Sequence, residues 1–128
     1  MTKVTESPAT VYQATPRTIK SGPALMEWRR ERGISRKLFA EMADFSERKL
    51  ATYEKAMDIP EKVQRPITET VHLIQALTDL AGDSEALADW LHTPNPAFGK
   101  ATPISLITAG ESHQLWEMVH QLRQGTFQ

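Results

Sequence analysis

An all-α fold is predicted by three features of this 128-residue sequence. Apolar residues recur at three- and four-residue spacing in several windows, and no stretch alternates apolar and polar residues over strand length. Ser, Pro and Gly stand where such helices would begin and end. The length permits one compact domain or two very small ones. A hydrophobic fraction of 40% supplies a modest core, of which a half-length fragment alone would bury little.

Residues 1–22 are rich in Thr, Ser and Pro without apolar periodicity and read as a flexible arm. Pro23 suits the first turn of a helix running to about Arg32, which Gly33 stops. Ser35 is placed to cap a helix containing LFAEMA. Ser46 is placed to cap ERKLATYEKA, with Lys49 where a capping box would have Glu. Residues 57–66 hold two prolines and read as a linker. From Ile67 to about Ala81 the residues Ile67, Val71, Ile74, Leu77 and Ala81 form one stripe, and Gly82 ends it. Ser84 to His92 reads as a short helix with Leu87, Trp90 and Leu91 inward. The last helix, Ser112 to Gln124, carries Leu115, Met118, Val119 and Leu122 at helical spacing. The chain therefore divides into an arm over 1–22, a helical unit with its linker over 23–66, and a second unit over 67–128.

Composition narrows the function classes. No segment approaches the roughly 20 apolar residues that cross a bilayer, and MTKVTESPAT has no signal-peptide core, so a soluble cytoplasmic protein without membrane contact is expected. The absence of cysteine excludes disulfides, thiolate zinc sites and cysteine nucleophiles. His113, Glu117 and His120 share one helix edge, but no Asp or Cys completes a ligand set, so no metal is expected. A G-x-S-x-G elbow and a Gly-rich phosphate loop are both missing. Neither an enzyme nor a cofactor is expected. The net charge of −1 hides a skew: residues 1–22 and 23–56 each carry +2, whereas residues 57–128 carry −5. Only the first half, with WRRER at Trp28 to Arg32, offers a basic face for DNA.

Ser35 to Ala56 has the spacing of a helix-turn-helix. Phe39 and the small Ala40 face the partner helix, Asp44 takes a turn position that wants positive φ, and Phe45 plugs the core beneath it. Leu50 and Tyr53 anchor the second helix. With Ser46 and Glu54, these residues resemble the Xre-type helix-turn-helix of phage-repressor-like regulators. The resemblance implies that Ser46, Glu47, Arg48, Lys49 and Thr52 face the major groove, with Ser35 and Arg36 near phosphates. Two positions depart from the pattern: Arg36 stands where Gln is common, and Glu47 brings a carboxylate towards the phosphate backbone.

The second half turns on WLHTPNPAFGKATPISLITAG, Trp90 to Gly110. Each proline biases the residue before it towards extended geometry, so PNP stops the preceding helix, and Gly99 permits a bend that a side chain would obstruct. Thr102 caps a new helix with Pro103 in its first turn and Ile104, Leu106 and Ile107 buried, and Gly110 ends it. The product is a rigid corner between two short helices. WL, PNPAFGKATPISLI and the closing LWEMVHQLRQG resemble the toxin-binding domain of Xre/MbcA/ParS antitoxins.

That resemblance implies a type II antitoxin that occludes the active site of a RES-domain toxin, a protein that consumes NAD or transfers its ADP-ribose, encoded by a neighbouring gene. Its toxin-binding residues would be Asn95, Phe98, Gly99, Thr102, Pro103, Trp116 and Phe127. Operator DNA would be a second partner, bound by a homodimer within a toxin–antitoxin hetero-oligomer. Two other classes fit the residues: a stand-alone regulator whose C-terminal helices dimerise, and a protein-interaction module with a degenerate helix-turn-helix.

Overall fold

Residues 18–125 are described by the structure, a computed structural model. Among them the regular structure is entirely helical: α1 (Gly22–Glu31), α2 (Arg36–Ala43), α3 (Glu47–Lys55), α4 (Glu61–Ala81), α5 (Ser84–Leu91), a 3-10 turn (Pro96–Phe98), α6 (Pro103–Thr108) and α7 (His113–Arg123). The all-α expectation holds.

Side-chain caps explain most of the boundaries. Ser21, Ser35 and Ser46 each accept a backbone N–H three residues on, opening α1, α2 and α3, and Asp83 does the same for α5. Asp44 ends α2 in the left-handed region at φ 62°, as the turn position required. α7 begins at His113, and Ser112 supplies no side-chain bond to it.

Two boundaries differ from the sequence reading. The stretch expected as a linker over 57–66 is helical from Glu61, and Pro66 lies inside α4. A proline that early in a helix forfeits one backbone bond without ending it. The Thr70 hydroxyl donates to the Pro66 carbonyl at 2.8 Å. The division of the chain at 66/67 thus falls inside one continuous helix. The arm expected over 1–22 also has a fixed end. Ile19 N–H donates to Thr68 Oγ1 at 3.1 Å, Ile59 N–H donates to the Lys20 carbonyl at 2.8 Å, and Gly22 already belongs to α1. The arm's first seventeen residues lie outside the described residues.

The first three helices close around one carboxylate. Glu54 of α3, its side chain wholly buried, takes Arg29 of α1 in a two-point pair, Nε to Oε2 at 2.7 Å and Nη2 to Oε1 at 3.1 Å. Arg36 of α2 adds Nε to Oε1 at 3.1 Å. Arg29 also donates from Nη1 to the Ile34 carbonyl at 3.0 Å, so the loop between α1 and α2 is held by the same guanidinium. Close backbone approach completes the triangle. Gly22 N–H donates to the Ala56 carbonyl at 2.8 Å, and a Cβ on Gly22 would sit 2.4 Å from the carbonyl oxygens of Tyr53 and Glu54.

One hydrophobic core runs through both ends of the molecule. Leu25, Phe39 and Leu50 are fully buried under α1 to α3, and Ile67, Val71, Ile74, Leu87, Leu91, Leu115 and Val119 continue the same cluster. α2 joins them, packing on α3 and also on α4 and α6, while α4 receives α5 and α7. Each fully buried aliphatic side chain contributes about 1.5–3 kcal/mol. The two sequence units therefore share their stability.

Candidate functional site

Two surfaces hold the residues singled out by sequence, and they differ in how they are built. On the first, α3 follows the left-handed Asp44 and lies with its inner face on the core through Leu50 and Tyr53. Phe45 packs edge-on against Tyr53 with ring centroids 5.4 Å apart, which fixes the entry to α3. Ser46, Glu47, Arg48, Lys49 and Thr52 are then all exposed on its outer side. Ser46 Oγ accepts from Lys49 N–H at 3.0 Å and Thr52 Oγ1 donates to the Arg48 carbonyl at 3.1 Å, so both hydroxyls are engaged locally.

The basic residues expected beside this helix are sorted by the fold. Arg29 of the WRRER run is buried in the Glu54 pair and does not belong to a surface patch. Arg32 stacks over the Trp28 ring at 5.4 Å. Arg36 is tied to Glu54 by one nitrogen, yet its side chain remains 41% exposed, so it reaches solvent beside Ser35. Burial pushes the Glu54 carboxyl up, but hydrogen bonds and charge from Arg29 and then Arg36 outweigh it and hold the group below its ordinary 4.5. Sequence gave Glu54 only a pattern role. Its interhelix partners became visible once α1 and α2 were set against α3.

The second surface is the corner after α5. Asn95 is its hub: its N–H donates to the Ala101 carbonyl at 3.0 Å, its own carbonyl accepts from Phe98 and Lys100 at 3.0 Å each, and its Oδ1 accepts from Ala97 N–H at 2.9 Å. The loop from 95 to 101 is thereby closed on itself. Gly99 and Lys100 both sit at positive φ, 64° and 71°. Nothing lies within 4 Å of a Cβ on Gly99, so the glycine answers to backbone conformation and not to crowding. Thr102 Oγ1 accepts from Ser105 N–H at 3.2 Å, and Pro103 is buried beneath it.

Asn95, Gly99, Thr102 and Pro103 therefore build the corner, while Pro94, Pro96, Ala97 and Lys100 form its exposed skin. Phe98 is half-buried and meets Trp90 edge-on at 6.5 Å. Trp116 is half-buried too, its ring 6.2 Å from that of His120. It lines a cleft of about 410 Å³ together with Met42, Asp44, Glu69, His72 and His113. Phe127 lies outside the described residues.

Sequence reading missed a second feature of this end. Leu77, Leu80, Ala81, Trp90, Met118 and Leu122 line an apolar groove of about 200 Å³ between α4, α5 and α7. Leu80 and Leu122 stand 43% and 37% exposed on it, although Leu122 fits the inward stripe of the last helix by spacing. Leu80 was the available signal, being a large apolar residue off the α4 stripe.

One chain segment containing the corner, the groove and α7 has a counterpart elsewhere. Residues 76–122 match the family model of the antitoxin Xre/MbcA/ParS C-terminal toxin-binding domain. The match supports an antitoxin role with a toxin as partner. No curated protein and no solved structure matches the chain. The matched segment begins within α4 and ends one residue before the end of α7, so it includes every part of the corner and all six residues lining the apolar groove. Among the described residues no helix is long and apolar enough to cross a membrane.

Proposed function

We propose that this chain is the antitoxin of a type II toxin–antitoxin system and neutralises a RES-domain toxin encoded beside it by covering the toxin's active site. The observation that carries the reading is the match at residues 76–122, which coincides with a corner already closed by its own hydrogen bonds. A preformed surface has little conformational entropy to lose on binding, so its contacts convert more fully into affinity. The apolar groove and the half-buried Trp116 provide the buried anchors such an interface needs.

The exposed face of α3 supports a second activity, repression of the chain's own operon through operator DNA. A homodimer would present two such helices to a symmetric operator within the toxin–antitoxin assembly. The same face favours the competing reading of a stand-alone regulator. Co-expression of the full chain with the neighbouring toxin separates the two: an antitoxin restores growth, and a stand-alone regulator leaves the cells inhibited.

A further inference from the structure

His92 closes α5 and immediately precedes the corner, and both of its ring nitrogens face acceptors. Nδ1 lies 2.8 Å from the Ala88 carbonyl oxygen, and Nε2 lies 3.0 Å from Glu41 Oε1 on α2. A neutral imidazole has one N–H and can serve only one of these partners. The imidazolium serves both. A cation is further favoured there because His92 caps the C-terminal end of α5, where the last carbonyls concentrate negative charge.

We propose that His92 is a proton-operated latch that ties the start of the corner to α2 of the helix-turn-helix. When the ring carries both protons, α5 and α2 are bridged by a helix cap and a charged contact in one residue. When one proton leaves, the ring can donate to only one of the two acceptors, and in the tautomer that keeps Nδ1–H on the Ala88 carbonyl the Glu41 contact to α2 is lost. The latch needs neither toxin nor DNA, so its test stands apart from that of the function proposed above.

The groups facing the ring have opposing effects. The Ala88 carbonyl on its own helix and Glu41 on α2 favour the charged form, while partial burial and Lys37, one turn before Glu41, oppose it; the balance raises the pKa above its ordinary 6.5. A raised folded-state value means the stabilisation is complete below the unfolded pKa and disappears as pH rises through the folded one. The window is therefore near-neutral and above.

The experiment is a carbon-resolved NMR titration of the histidine Cε1–H signals in the full chain across about pH 5 to 8, with His92→Gln used to assign the resonance. His92 is expected to titrate above 6.5, Glu41→Gln is expected to lower its midpoint, and the Glu41 and Thr93 amides are expected to shift with the wild-type midpoint. Glu41 is 37% exposed, so its isosteric replacement leaves the fold in place. A His92 midpoint at or below 6.5, or one unmoved by Glu41→Gln, overturns the latch.

Discussion

Glu54 carries the largest single-residue consequence. Its buried carboxylate balances Arg29 and engages Arg36, so Glu54→Gln leaves a guanidinium inside the first helical unit without its counter-charge. Removing one partner of a buried pair costs about 3–5 kcal/mol, and urea unfolding of the full chain should show a loss of that order. The acid dependence has a definite sign. Because the folded-state value lies below 4.5, this stabilisation is present above the unfolded pKa and is lost as pH falls through the folded one. Unfolding midpoints followed downwards from about pH 5 should fall less steeply in Glu54→Gln than in the parent chain. Gly22 provides a test by size instead of charge: a methyl group there meets two backbone carbonyls, and Gly22→Ala should cost about 1–3 kcal/mol. The sequence marks Glu54 only as part of the helix-turn-helix pattern and does not single out Gly22. A lone Glu in a helical pattern and a Gly before a Pro acquire these roles only when α1 is laid across α3.

Elements were more legible than partners. The Ser and Thr caps, the Pro residues in first turns and the Gly stops located α1, α2, α3 and α6 because each acts within a few residues of its own position. Pro66 misled because its cost depends on which turn it occupies, and α4 starts at Glu61 with no side-chain cap for the sequence to show. The corner was legible as a corner, with its bend at Gly99 confirmed as a left-handed backbone turn. Space is free there, and φ is the constraint, so Gly99→Val should destabilise the corner by about 1–2 kcal/mol through left-handed strain. Thermal unfolding of the full chain would register it. For α3 the expected behaviour is electrostatic: Arg48→Ala with Lys49→Ala should weaken binding to the chain's own promoter and flatten the log–log salt dependence by about 0.9 per lost phosphate contact. Unchanged affinity and slope would remove α3 from any DNA interface.

At the scale of the whole molecule the two ends are mechanically joined. α2 packs on α4 and α6, one hydrophobic cluster spans them, and a cut at 66/67 would divide α4 near its first turns. Sequence suggested separable units because proline-rich punctuation is visible in a chain, whereas shared burial is not. Experiments on neutralisation therefore belong to the full chain. The exposed Leu80 and Leu122 on the groove make a specific expectation for the complex, since polar replacements at an interface anchor weaken binding by about 2 kcal/mol or more. The measurement that reaches the central claim most directly is NAD consumption by the RES-domain toxin proposed as the partner, purified and titrated with the purified full chain. Neutralisation predicts that turnover falls to background at a fixed stoichiometry and that Leu80→Asp with Leu122→Asp, folded by circular dichroism, shifts the titration to higher concentration. Undiminished turnover in the presence of excess folded chain would contradict it.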